Sequence, residues 1–276
     1  MGHKQSNSYK RMMEHYDDVL TGRKWWSRMY MRLVWKEDGN LLARKVFDFI
    51  PDDFHGRLLD VPVGTAIFTA GKYRRMKAAE IVGLDYSEEM IAIATLQKET
   101  EDIDNLSLVQ GDVGELPYTD ESFDYVLSMN GFQAFPDKDK AFAEIFRVLK
   151  PRGCFCGCFY VRGERRLGDV LVKKVLERKG FFHPPYDTFA EADSRLRSMY
   201  GDDVQTEKME SVCLFRCVKP QKTSSKKNNN RTITPKHKIM SVTTIIDEEN
   251  ITLVQGVNGI LLHKEGWMKE KQEGKD

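Results

Sequence analysis

Three carboxylates stand where a chain can recognise a nucleoside. Asp60 closes the run RLLD, Asp85 closes EIVGLD, and Asp112 follows LVQG. Each comes at or just beyond the end of a short apolar run. A carboxylate at position 85 can accept hydrogen bonds from both hydroxyls of a ribose. One at position 112 can accept from an exocyclic adenine amine, with the Val113 backbone N–H offered to the ring. Gly64, in VPVGTA, lacks a Cβ, so the backbone there can take positive φ and come close to a ligand. Structural roles compete with these: Asp85 as a cap for the next helix, and Asp112 as a turn residue before Gly114.

The elements that must hold these residues alternate. Leu58–Leu59, Glu80–Leu84, Leu106–Val109, Phe123–Met129 and Cys154–Val161 read as strands. Thr65–Phe68 reads as the start of a helix, and Ser87–Lys98 and Asp137–Lys150 as full helices. Ser87 is a good N-cap, with Glu88 and Glu89 following at the positive end of the helix dipole. Phe142, Ile145, Phe146 and Leu149 follow the spacing that buries one helix face. Strands of four to eight residues alternating with helices imply a parallel sheet covered on both sides. In such a sheet, ligands bind beyond the C-terminal strand ends. Residues 168–200 read as a helix interrupted at Gly180–Pro185. Val204–Glu210 and Val212–Val218 read as a terminal strand pair around Ser211.

LLDVPVGTA, EIVGLDYSEEMI, LVQGDVGELPYTDESFDYVLSMNGFQAF and FAEIFRVLKPRG occur in that order. Together they resemble the successive motifs of class I S-adenosylmethionine-dependent methyltransferases, in the style of the small-molecule and ubiquinone/menaquinone-biosynthesis branch. The resemblance covers roughly residues 10–220. It implies a doubly wound, Rossmann-like α/β fold with a seven-stranded sheet whose last strand is antiparallel. It also implies S-adenosylmethionine as cofactor, S-adenosylhomocysteine as product, and a small-molecule acceptor. By position it assigns Asp60 and Gly64 to the methionine end, Asp85 to the ribose, and Asp112 with Val113 to the adenine. Tyr86 is counted among the cofactor-binding residues, and Met129 and Asn130 border the reactive sulfonium. Tyr16, in EHYDDVL, resembles the tyrosine of an N-terminal Tyr-Asp pair that closes over the cofactor.

The family's loop usually carries three alternating glycines; Pro62, Gly64 and Ala66 hold their places here. Pro62 fixes φ and removes one N–H, whereas Ala66 is expected to add only a methyl group. A nicotinamide-dependent oxidoreductase would need G-x-G-x-x-G, and Pro62 with Ile67 argues against it. A non-catalytic S-adenosylmethionine-binding protein that recruits a partner through its C-terminal residues is the other alternative.

Methyl transfer from a sulfonium needs alignment and exclusion of water more than a metal or covalent catalysis. No metal site is expected. No catalytic residue is assigned: His15 and His183 fall in segments expected to cover the pocket, but a surface or packing role is favoured for each, and Gln133 is no base. His183-Pro184-Pro185-Tyr186 lies in the wrong place for an amino-group methyltransferase motif. Cys154, Cys156 and Cys158 share one face of a strand, where Cys packs as a small apolar residue.

The chain holds 276 residues, with 43 Lys/Arg against 42 Asp/Glu. Residues 1–218 carry 32 Lys/Arg and 35 Asp/Glu, so the main body lacks the basic surplus of a nucleic-acid enzyme. The beginning lacks the apolar stretch of a secretory signal, although Gly2 and Ser6 fit the loose myristoylation pattern. Five cysteines in such a chain favour a reducing cytoplasm. Residues 1–50 are expected to be N-terminal helices covering the active site. Within them, residues 23–36 interleave Trp25, Trp26, Tyr30 and Trp35 with five bases. That stretch suits a lid over an apolar or aromatic acceptor, with peripheral membrane contact as an alternative. Residues 51–220 form the expected methyltransferase domain and 221–241 a basic flexible linker. Residues 242–276 form a small β-like extension of three runs, Val242–Ile246, Ile251–Val254 and Gly259–His263.

Overall fold

The central apolar runs become strands because they are buried on both sides. The computed structural model describes residues 39–178, 180–221, 243–246, 252–256 and 259–263. The chain divides into two compact units, Met1–Thr223 and Ser224–Asp276. In the first unit, helix α1 (Gly39–Phe47) precedes β1 (Gly56–Asp60), a short α2 (Ala70–Tyr73), β2 (Ala79–Asp85) and α3 (Glu88–Thr100). Then come β3 (Leu106–Gln110), a 3-10 turn at Val113–Glu115, β4 (Phe123–Met129), α4 (Lys138–Val148) and β5 (Leu149–Tyr160). Helix α5 (Arg166–Leu171) runs into a π-turn at Val172–Leu176 and is followed by α6 (Phe189–Tyr200), β6 (Val204–Met209) and β7 (Val212–Val218).

The seven strands lie in the order β3-β2-β1-β4-β5-β7-β6. The pairs β1–β2, β1–β4, β2–β3 and β4–β5 are parallel, while β7 is antiparallel to β5 and β6. This is the expected sheet with its antiparallel last strand. Strand order reverses between β1 and β4, so their C-terminal ends frame the crevice where such sheets bind ligands.

Alternating side chains serve the two faces. Leu58 joins Val46, Tyr73, Met76 and Ile81 on one side; Leu59 joins Val126, Phe142, Ile145 and Leu196 on the other. In β5, Cys154, Cys156 and Cys158 pack on the first face and Phe155 and Phe159 on the second. All five cysteines are buried, which is the packing role their spacing allowed.

Several boundaries differ from expectation. Thr65–Phe68 forms turns, not helix, because Ala66 sits at φ +57°, a left-handed value that a right-handed helix cannot contain. Helix α1, expected over Leu41–Ile50 from the sequence, stops at Phe47, where the buried Lys72 ammonium caps the Phe47 and Ile50 carbonyls (3.4 and 2.5 Å). Helix α4 likewise ends at Val148, where buried Lys219 donates to the Phe146 and Leu149 carbonyls (2.6 and 2.7 Å). The expected helix 168–200 breaks from Glu177 to Thr188 and resumes on a capping box between Thr188 and Glu191.

In the second unit, β8 (Thr243–Ile246), β9 (Thr252–Gly256) and β10 (Gly259–His263) form an antiparallel meander. Two of the three expected runs thereby shift by only one or two residues at an end.

Candidate functional site

At the end of β1 the backbone continues straight into the loop. The Val61 N–H donates to the Leu127 carbonyl of β4 (2.9 Å), and the Val63 N–H to the Leu84 carbonyl of β2 (2.9 Å). The loop is thus stitched to both neighbours of β1 across the reversal of strand order. The Val61–Pro62 peptide is cis. Gly64 sits at φ +54°, and the place a Cβ would take has no heavy atom within 4 Å. Both properties expected of this glycine are present: left-handed backbone and open space against it.

The Gly64 N–H donates to Asp85 Oδ2 (2.9 Å), while Oδ1 of the same carboxylate accepts from the Ser87 N–H (2.9 Å). Asp85 is thus drawn to the loop as well as to the start of α3. Ser87 is the N-cap of α3, accepting from the Met90 N–H. Burial raises the Asp85 carboxyl above the usual range, against the pull of these N–H donors. Asp60 is buried and accepts from the Tyr73 hydroxyl at 2.7 Å. Burial first, and the nearby Asp85 charge after it, push the Asp60 carboxyl up to about 7. Tyr73 was invisible to sequence reasoning; nothing marks a tyrosine thirteen residues along the chain as the partner of a strand-end acid.

The other residues lie around this pair. Asp112 is exposed, and its Oδ1 accepts from the Gly114 N–H (2.7 Å), so the turn role holds for that oxygen. The Val113 side chain enters the core, and the Tyr86 ring stands in solvent. Met129 is half-buried at the end of β4. Asn130 takes φ +55° and is tied to β5 by its N–H to the Cys158 carbonyl (2.8 Å). Tyr16, His15 and residues 23–36 lie outside the described residues.

The loop's departures acquire physical content. Pro62 packs against Gly131: a Cβ added there would stand 2.3 Å from Pro62 Cδ and 2.8 Å from Ser128 Oγ. Proline at 62 is accommodated by glycine at 131. Ala66 corrects the expectation that it adds only a methyl group, because an alanine at φ +57° costs about 1–2 kcal/mol. The buried Ser128 hydroxyl, beside this junction, makes no hydrogen bond among the described residues.

Beyond β4 and β5 a narrow cleft opens among Phe132, Gln133, Phe159, Tyr160 and Tyr186, with Lys138 on its wall. Its enclosed volume is about 10 Å³, room for roughly one water molecule. Buried Gln133 holds it together: its Oε1 accepts from the Tyr160 N–H (3.3 Å) and its carbonyl from the His183 N–H (2.8 Å). His183 Nδ1 is buried without a hydrogen-bond partner among the described residues. Sequence reasoning set Gln133 aside as no base and passed over Lys138.

Chemically, the strand-end site offers buried carboxylates to hydroxyl donors and a cation, beside an open backbone loop. Among the described residues, no group of three or more His, Cys, Asp or Glu is arranged to hold a metal ion. No helix among them is long and apolar enough to cross a membrane.

A family model described as a methyltransferase domain matches residues 59–157. The demethylmenaquinone methyltransferase of Staphylococcus carnosus (strain TM300) is 40% identical over 98 residues, 35% of this chain and 40% of that protein. The chain thus matches only about two-fifths of the length of this curated relative. Among solved structures, Haemonchus contortus phosphoethanolamine N-methyltransferase 2 in complex with S-adenosyl-L-methionine has a TM-score of 0.56 at 21% identity, covering 66% of this chain and 53% of that one. The [4+2]-cyclase SpnF has a TM-score of 0.55 at 20% identity, covering 68% of this chain and 86% of that one. Likeness at these identities is likeness of fold.

Proposed function

We propose that this chain, whose residues 59–157 match a methyltransferase-domain model, is a class I S-adenosylmethionine-dependent methyltransferase that moves a methyl group from S-adenosylmethionine to a small-molecule acceptor without a metal ion. One observation carries the reading: Gly64 and Asp85 are joined at the reversal of strand order, with open space against the glycine. When bound, the cofactor supplies an electrophilic methyl group on a sulfonium and departs as S-adenosylhomocysteine. Asp85 uses the lone pairs left by the Gly64 and Ser87 N–H groups to accept from ribose hydroxyls. Asp60 supplies negative charge for the methionine ammonium. Asp112 and Val113 hold the adenine edge beside Tyr86. Met129 and Asn130 border the reacting end, and Tyr16 belongs to the covering segment.

The demethylmenaquinone methyltransferase relatives support an apolar or aromatic acceptor; the aromatic cleft would have to widen to admit one. The buried thiols support a reducing, cytoplasmic setting.

Thermal shift tests the cofactor class. At ten times Kd, S-adenosylhomocysteine should add about 1.4 kcal/mol, roughly 3–6 °C for a domain of this size, and NAD should add nothing. Asp85→Ala is expected to weaken cofactor binding by about 2–4 kcal/mol through lost charge-assisted bonds; unchanged affinity in a folded variant sinks the ribose assignment. Methyl turnover is read from labelled S-adenosylmethionine in cell extract, and identifying the labelled product names the acceptor. No labelled product, despite cofactor binding, would leave a binding protein and refute the transferase.

A further inference from the structure

Helix α5 and the π-turn that continues it divide cleanly into two faces. Gly168, Val172 and Leu176 are buried, and Val172 and Leu176 pack with Tyr160 and Phe182 at the cleft. The opposite face exposes Leu167 (74% exposed) and Val170 (49%), and Phe181, in the loop beyond the turn, is 52% exposed. Arg166, Lys173, Lys174 and Arg178 are exposed around them. None of these four bases forms an ion pair among the described residues.

Two acids of the same stretch are held on the protein side, and a third, Glu177, is half-buried between Lys174 and Arg178 in the sequence. Glu164 pairs with Lys208 (2.9 Å), and Asp169 accepts from the Tyr160 hydroxyl and the Gly163 N–H. Leu167 and Val170 lie three residues apart on α5, and the exposed Lys173 and Lys174 follow them on the π-turn. The cationic charge is local, because the body of the protein is slightly acidic.

We propose that this outward face docks on an anionic lipid surface. Leu167, Val170 and Phe181 enter the boundary between headgroups and acyl chains, and the four bases lie at phosphate level. Bases alone would suit a nucleic acid equally. Exposed aliphatic side chains set among them gain by entering lipid and gain little against a phosphodiester backbone. Docking here would bring the cleft behind Tyr160 to the membrane, where an apolar acceptor would partition. The surface is independent of methyl transfer, and its test does not use the cofactor.

The full chain is sedimented with vesicles of phosphatidylcholine and phosphatidylglycerol in equal parts, and with phosphatidylcholine alone. Binding is expected only to the anionic vesicles, weakening with salt. Lys173→Gln with Lys174→Gln should lower the partition constant about fivefold per charge removed. Leu167→Ser with Val170→Ser should lower it further without changing the melting temperature. No binding by the native chain overturns the proposal. So does equal binding by native chain and variants, which would place membrane contact elsewhere. Retention of single-stranded RNA or an acidic peptide without vesicle binding overturns it in favour of those partners.

Discussion

At pH 8, Asp60→Asn is expected to be more stable than the native chain, although it removes a carboxylate from the candidate site. Asp60 is 1% exposed, and its burial, with the Asp85 charge nearby, moves the carboxyl from 3.8 to about 7. A carboxyl raised on folding stabilises the fold when protonated. Its contribution is fully present below 3.8 and is lost as pH rises through about 7. At about 1.4 kcal/mol per pH unit, keeping this group ionised in the fold costs about 4 kcal/mol at pH 8. Asparagine keeps an oxygen for the Tyr73 hydroxyl and carries no charge, but its buried amide donors cost about 1–3 kcal/mol. The variant should therefore gain about 2 kcal/mol at pH 8 and lose about 1 kcal/mol at pH 5, the difference between burying an amide and a protonated acid. Guanidinium unfolding followed by far-UV circular dichroism at both pH values measures this directly. Parallel pH curves for the two proteins, or a variant weaker at pH 8, would refute a buried, proton-binding Asp60.

The tight Pro62–Gly131 junction predicts that Gly131→Ala overpacks the loop and costs about 1–3 kcal/mol. Pro62→Ala in the same chain should recover part of that loss in a double-mutant cycle measured by denaturant unfolding. All five thiols are buried, so an aromatic disulfide reagent should find none of them in the native protein and five after denaturation; rapid reaction in native buffer contradicts the packing.

Much of the fold was legible because the strands are short apolar runs punctuated by Asp, Gly and Pro. The order of motifs carried the topology as far as the antiparallel last strand. What failed were the ends of helices. Thr65–Phe68 has helical composition, yet the loop's hydrogen bonds to β2 and β4 and the left-handed Ala66 override it. Helices α1 and α4 stop where Lys72 and Lys219, distant in sequence, bring an ammonium to the terminal carbonyls. Such caps come from other elements and leave no local pattern.

The sequence by itself determined which acids lie at strand ends and that Gly64 must turn there, because strand–turn–helix punctuation and residue type are local properties. Only the tertiary structure decided that Asp85 is bonded to Gly64, that Tyr73 answers Asp60, and that glycine at 131 makes room for Pro62. It also decided that α5 turns bases and aliphatic side chains outward together. Those facts depend on which segments meet in space, and on the burial that alters the charge a carboxyl can hold.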